Sequence, residues 1–149
     1  MYIFDIDGTL ADATHRLHHI LGKKKKDWDA WDAETDKDDP IIPIIGILQA
    51  LYDHGHEIML LTGRNERVRE PTEKWLADHN IHYHHLLMRP HGDHRDDTIV
   101  KLEKLAEFLE PYGEEADSVV KTIFEDRRRL VVAFREAGYH VCQVDEGDF

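Results

Sequence analysis

Phe4-Asp5-Ile6-Asp7-Gly8-Thr9-Leu10 is the stretch whose reading decides the fold. It follows Met1-Tyr2-Ile3, so a short apolar run ends in two carboxylates two residues apart and then in a Gly-Thr turn. Side chains at i and i+2 of a strand point to one face. The spacing therefore aims Asp5 and Asp7 into one small space at the end of a strand. Two like charges that close repel unless a cation or a shared proton relieves them. The pattern points to metal-assisted phosphoryl chemistry. Asp-x-Asp-Gly by itself is also compatible with a simple Asx-capped turn.

Outward from that strand, the chain alternates. Tyr2 to Ile6 reads as a buried strand, and a polar segment runs from Gly8 to about Asp39. Ile44, Ile47, Leu48 and Leu51 recur at helical spacing before Gly55. Glu57 to Leu61 is a second strand, ending at Thr62-Gly63-Arg64. A helix opened by Pro71 carries Trp75 and Leu76, and His85 to Met88 is a third strand. Ile99, Leu102, Leu105, Ala106 and Leu109 mark the next helix, and Val119 to Phe124 a fourth strand running into Glu125-Asp126-Arg127. Leu130, Val131, Phe134 and Ala137 give a last helix before Gly138, and Tyr139 to Val144 a last strand. Strands alternating with helices predict an α/β fold: a mostly parallel sheet with helices on both faces, in one domain over residues 1–149. Ligands in such sheets bind at the carboxyl ends of the strands. Asp5/Asp7, Thr62-Gly63-Arg64 and Glu125-Asp126 all follow strands, so they should converge.

Composition narrows the partners. With 19 Lys and Arg against 31 Asp and Glu, the formal net charge is −12, which opposes a broad phosphate-binding surface. The single cysteine, Cys142, excludes an intramolecular disulfide. No signal peptide and no apolar run of membrane-spanning length is present, so the expectation is a cytoplasmic protein without membrane contact. The 12 histidines form no His-Glu-x-x-His pattern and are expected at the surface.

The converging groups suit phosphoryl transfer. Asp5, at the strand tip, can attack phosphorus. Asp7 can protonate the leaving oxygen and then deprotonate water, provided its pKa differs from that of Asp5. Mg²⁺ takes oxygen ligands; Asp5, the Asp7 carbonyl and Asp126 supply such a set. Thr62, Lys101 and Arg64 offer donors to the phosphoryl oxygens. Taken singly, Thr62-Gly63-Arg64 is a turn, Lys101 a solvated helix residue and Glu125-Asp126 a helix cap. Their joint order after successive strands favours the site.

Asp5-Ile6-Asp7-Gly8-Thr9-Leu10, Leu61-Thr62-Gly63-Arg64, Lys101 and Phe124-Glu125-Asp126 resemble the four motifs of the haloacid dehalogenase superfamily of phosphatases. The resemblance implies a Rossmann-like three-layer core with strand order 5-4-1-2-3, a small or absent cap, dependence on Mg²⁺ and an aspartyl-phosphate intermediate. A narrower resemblance links His15-Arg16, Met88-Arg89, Gly92-Asp93-His94-Arg95-Asp96-Asp97, Asp126-Arg127 and the ending Gly147-Asp148-Phe149 to the 3′-phosphatase domain of phage polynucleotide kinase-phosphatase. It implies active-site roles for Arg16, Arg64 and Asp97, and nucleic-acid 3′ ends as substrate. Asp97 is expected to orient the Lys101 amine or to cap its helix. Glu125 stands where that family usually has Asp, which suits an acid acting through water. No Gly-x-x-x-x-Gly-Lys-Ser/Thr loop occurs in the sequence, so no kinase activity is expected of it.

The insert of about 30 residues after Asp7 is too short for a large cap with its own core, so an open site is expected. Trp28 or Trp31 can stack on a base and Lys23 to Lys26 can follow a strand backbone; the commoner roles are packing for the tryptophans and solvation for the lysines. Mononucleotides or other small phosphate esters are the competing substrates. A silent binding module is a third reading, which the joint presence of Asp5, Asp7, Thr62, Lys101 and Asp126 opposes.

Overall fold

A computed structural model describes residues 1–147. Its five-stranded sheet has the order β5-β4-β1-β6-β7, with β1 at Tyr2–Phe4, β4 at Ile58–Asn65, β5 at His85–Arg89, β6 at Thr122–Arg127 and β7 at Val141–Gly147. Two further short strands, β2 (Ala11–Asp12) and β3 (Asp39–Pro40), form a separate antiparallel ribbon. Numbering the five sheet strands alone, the order is 3-2-1-4-5, which read from the other edge is the expected 5-4-1-2-3. All four pairings in the sheet are parallel.

The apolar runs are continuous because both sheet faces are buried. In β1 and β4, Phe4, Ile58 and Leu60 pack with α2 (Ile42–Asp53) and α3 (Arg69–Asp78) through Ile45, Leu48, Trp75 and Leu76. Ile3, Met59 and Leu61 face the other way, against Leu105, Leu109, Leu130 and Phe134 of α4 (Asp97–Leu109) and α6 (Arg128–Glu136). Phe4 and Phe124 stack across adjacent strands with ring centroids 4.3 Å apart.

Register brings the polar motifs together. Phe4 lies opposite Leu60 on one side and Phe124 on the other. The residues just beyond are Asp5, Leu61-Thr62 and Glu125-Asp126, so three strands end at one level. The Asp5 N–H still bonds the Phe124 carbonyl at 3.0 Å.

Several boundaries differ from expectation; the first strand ends at Phe4 rather than Ile6, and the last runs over Val141–Gly147 rather than Tyr139 to Val144. β4 runs on through Thr62-Gly63-Arg64 and, after a register shift, pairs with β5 again at Asn65 and Arg89. Val119 ends a short helix, α5 (Ala116–Val119), and the fourth sheet strand begins at Thr122. The insert is small, as expected, but it is ordered into α1 (Trp28–Asp32), two 3₁₀ turns at Thr14–His19 and Thr35–Lys37, and the ribbon. It has a small core of its own in Ala13, Ile20 and Trp31. The Arg67 guanidinium, bonded to the Asp32 carboxylate at 2.7 and 2.9 Å, ties α1 to the body. Among the described residues, no helix is long and apolar enough to cross a membrane. Asp148 and Phe149, part of the quoted C-terminal motif, lie outside the described residues.

Candidate active site

Asp5 ends up buried at the strand tip. Its Oδ1 accepts a bond from Lys101 Nζ at 2.6 Å, and the same amine bonds Glu125 Oε2 at 2.9 Å. Lys101 reaches this point from α4 and is itself fully buried. Burial works against its charge, but Asp5, Glu125 and Asp97 overcome that and raise its pKa, so it stays an ammonium. Glu125 is held a second time, by the Arg127 N–H at 3.1 Å.

The other Asp5 oxygen, Oδ2, is buried without a hydrogen-bond partner, as is Asp126 Oδ1. Buried carboxylate oxygens do not normally go unsatisfied. Oxygens of Asp5, Glu125 and Asp126 lie within 4.8 Å of one another. Burial and the neighbouring carboxylates push Asp5 up to about 7 and Asp126 up to about 8. Three crowded acids, two of them with orphaned oxygens, are a hard oxygen donor set, which fits Mg²⁺. Asp5, Asp126 and the Asp7 carbonyl would hold it, with Glu125 beside it and already committed to Lys101. Asp126 sits where only glycine leaves room. A Cβ on either Gly8 (φ +91°) or Gly147 would overlap its carboxylate.

Asp7 occupies a different electrostatic setting. Its Oδ1 receives Arg16 Nη2 at 2.6 Å and Arg64 Nη2 and Nε at 2.6 and 2.9 Å. Burial alone would raise its pKa, but the two guanidiniums hold the carboxyl well below the usual carboxylate range. Both arginines are fully shielded from solvent. Each is backed by a tryptophan: the Arg16 guanidinium lies 4.0 Å from the Trp31 ring centroid and that of Arg64 6.0 Å from Trp75. Asp38 closes the cage, taking Arg16 Nε on Oδ1 at 2.8 Å, and Arg16 and Arg64 Nη2 on Oδ2 at 2.6 and 2.7 Å. Two carboxylates and two guanidiniums thus balance. Trp75 Nε1 donates to the Asp38 carbonyl at 2.7 Å and fixes its position.

The structure places every expected site residue at one end of the sheet, with one changed partnership. Asp97 acts on Lys101 through its charge but makes no hydrogen bond to it. Its Oδ1 accepts from Arg89 Nη2 at 2.8 Å and its Oδ2 from Arg127 Nη2 at 2.7 Å. The helix cap is Asp96, which accepts from the Thr98 N–H at 2.9 Å. Asp97 instead lies against the backbone of Gly63, where a Cβ would come within 2.7 Å of its carboxylate. Thr62 is buried and its Oγ accepts the Arg64 N–H at 3.2 Å, leaving its proton to donate. Sequence reasoning missed Asp38 and gave Arg127 and Arg89 no task of their own. Trp31 packs the insert, whereas Trp28 is 48% exposed and Lys23 to Lys26 are exposed. None of the 12 histidines is buried.

Beside Asp126 a cleft of about 340 Å³ opens between the insert and the end of β7. Ala13, Thr14, Leu17 and Ile41 line it together with the acids Asp12, Asp145 and Glu146. That volume is of ligand size.

No curated protein matches the chain. Among solved structures, it is 33% identical to a chain of the Pnkp1/Rnl/Hen1 complex, over 99% of this chain and 46% of that one, with a TM-score of 0.76. A second structure, of the Pnkp1/Rnl/Hen1 RNA repair complex, gives 33% identity, 99% and 43% coverage and a TM-score of 0.77. The chain thus spans less than half the length of these neighbours. A putative phosphatase from Clostridium difficile, 16% identical over 99% of this chain and 85% of its own, shares the fold with a TM-score of 0.72. The model of the polynucleotide kinase PNKP phosphatase domain matches residues 1–149, and the chain belongs to that family of haloacid-dehalogenase-type phosphatases.

Proposed function

We propose that residues 1–149 act as one Mg²⁺-dependent phosphomonoesterase domain, with residues 8–40 as its small lid, that removes 3′-phosphate from DNA or RNA ends. The observation that carries the reading is the division of labour around Asp5. One oxygen is bound by Lys101 and the other is buried and unpartnered. A cation held by Asp5 and Asp126 would supply positive charge that offsets repulsion between carboxylate and phosphate.

Asp5 attacks phosphorus, forming an aspartyl-phosphate as the bond to the 3′ oxygen breaks. The leaving oxygen takes a proton from Asp7. Asp7 then accepts a proton from water, whose oxygen attacks the same phosphorus and releases inorganic phosphate and free Asp5. In the resting site Asp7 is ionised, which suits the second step. For the first step it must acquire a proton, which a phosphomonoester arriving as the monoanion can bring. Arg16 and Arg64 can turn N–H groups from Asp7 to the phosphoryl oxygens, and Thr62 adds its hydroxyl. Arg89 and Arg127 orient Asp97 against the Thr62-Gly63 backbone.

The nucleic-acid assignment draws on the family and on the neighbours 33% identical to this chain, which come from an RNA repair complex. The cleft beside Asp126 would take the terminal nucleoside, and a role in end repair in a reducing, cytoplasmic setting follows. The test is a Mg²⁺ phosphatase panel of 3′- and 5′-phosphorylated oligonucleotides, mononucleotides and an aryl phosphate. The 3′-phosphorylated oligonucleotide should have the highest specificity constant, and Asp5→Asn should release no phosphate from any of them. Equal constants for the oligonucleotide and a 3′-mononucleotide would assign the site to small esters.

A further inference from the structure

The insert carries a cluster that phosphoryl transfer does not use. His18, His19 and Glu34 each present a ligand atom, all within 4.8 Å of one another. The two rings overlap at a 43° tilt, with centroids 3.8 Å apart. His18 Nδ1 contacts the His15 carbonyl at 2.9 Å. A carbonyl only accepts, so Nδ1 carries the proton and the Nε2 lone pair is free. Metal-ligating histidines are held in this way, with the second nitrogen donating to a carbonyl or carboxylate. His19 Nε2 lies 3.1 Å from Glu34 Oε2. A cation there replaces the shared proton, which moves to Nδ1 by tautomer exchange. Lys37 Nζ is 3.7 Å from the opposite Glu34 oxygen, Oε1, and leaves Oε2 to the histidines. His15 Nδ1 stands 4.0 Å from Oε2, at the edge of the cluster.

We propose that His18, His19 and Glu34 form a second metal site, selective for a borderline transition cation of the Zn²⁺ class and distinct from the all-oxygen site at Asp5 and Asp126. Two imidazoles and one carboxylate favour Zn²⁺, Co²⁺ or Ni²⁺ over Mg²⁺. Three protein ligands leave a position for water. The site also joins two parts of the insert that are distant in sequence. His18 and His19 end the 3₁₀ turn that carries Arg16, and Glu34 lies just before the turn that leads to Asp38. A bound cation therefore clamps together the segments that deliver Arg16 and Asp38 to the cage around Asp7.

Co²⁺ and Zn²⁺ binding should be measured in an Asp126→Asn background, which disables the acidic site. One Co²⁺ per chain should bind with visible d–d absorption, be displaced by Zn²⁺ and survive excess Mg²⁺, and Zn²⁺ should raise the melting temperature. Adding His18→Gln and His19→Gln should weaken binding by about tenfold or more and remove the thermal shift. Glu34→Gln, at a half-buried position of the insert, gives a second variant whose weaker binding is read in the same way. Affinity unchanged by these substitutions would place the cation elsewhere among the histidines and overturn the proposal. Failure of the Asp126→Asn protein to bind any Co²⁺ would do the same.

Discussion

Asp126 shows how much a single residue can decide. Its carboxylate is wedged between Gly8 and Gly147, beside Asp5 and Glu125, with one oxygen unsatisfied. Burial and those neighbours raise both Asp126 (to about 8) and Asp5 (to about 7). In the unfolded chain both groups ionise near pH 4. Between that pH and 8 the native state therefore holds protons that the unfolded state has lost, so stability falls as pH rises. In chelator, the melting temperature should decline from pH 6 to pH 8.5, and excess Mg²⁺ should restore it. Asp126→Asn removes one of the repelling charges. It should stabilise the metal-free protein at pH 8 by about 1–2 kcal/mol, flatten the decline and lose the Mg²⁺ response. Metal-free stability that rose over that range would show that the acids are not mutually repelling, and would remove the argument for a cation between them.

At the scale of elements, the insert contributes more than cover. Its 3₁₀ turn at Thr14–His19 and the segment before β3 supply Arg16 and Asp38, while β4 supplies Arg64. Asp38, whose side chain is wholly buried, bonds both arginines. Removing one partner of such a cluster leaves a buried charge uncompensated. Asp38→Ala should cost roughly 3–5 kcal/mol in denaturant unfolding. It should also lower kcat/KM, since Asp7 would be the one carboxylate left to both Arg16 and Arg64. A variant with wild-type stability and activity would show the cage to be incidental. The sheet was legible because its strands are short apolar runs ending in polar motifs, and parallel register then forces those motifs to one level. Asp38 was not legible. It stands in Asp36-Lys37-Asp38-Asp39, where four charged residues in a row read as solvated loop, and its burial rests on partners distant in sequence: Arg16 and Arg64 on its carboxylate and Trp75 on its carbonyl. The Lys101 position was legible from order in the chain, but its hydrogen-bond partners, Asp5 and Glu125, were not. Asp97, four residues earlier on the same helix, acts on it through charge alone, because arginines from β5 and β6 take its hydrogen bonds.

For the molecule as a whole, a charge of −12 would oppose the proposed polynucleotide substrate, whose approach would then depend on local positive charge. The buried cations at the site are matched by Asp5, Asp7, Asp38, Asp97 and Glu125, and contribute little long-range field. The exposed Lys23 to Lys26 run is the largest uninterrupted cationic stretch in the sequence, and Lys26 Nζ lies 5.2 Å from the ring centroid of the exposed Trp28. A cation beside an exposed aromatic ring is the usual means of following a single strand, by charge and by stacking. If the run neutralises about two phosphates, log(kcat/KM) for a 3′-phosphorylated oligonucleotide should fall with log salt at a slope of roughly −1.4. That is about a sevenfold loss between roughly 50 and 200 mM salt. Replacing all four lysines with Ser should remove most of this slope and leave a 3′-mononucleotide unaffected, because a substrate with no upstream strand does not reach the run. An unchanged slope in the Ser variant would return the lysines to ordinary solvated loop, and would locate strand binding on another face.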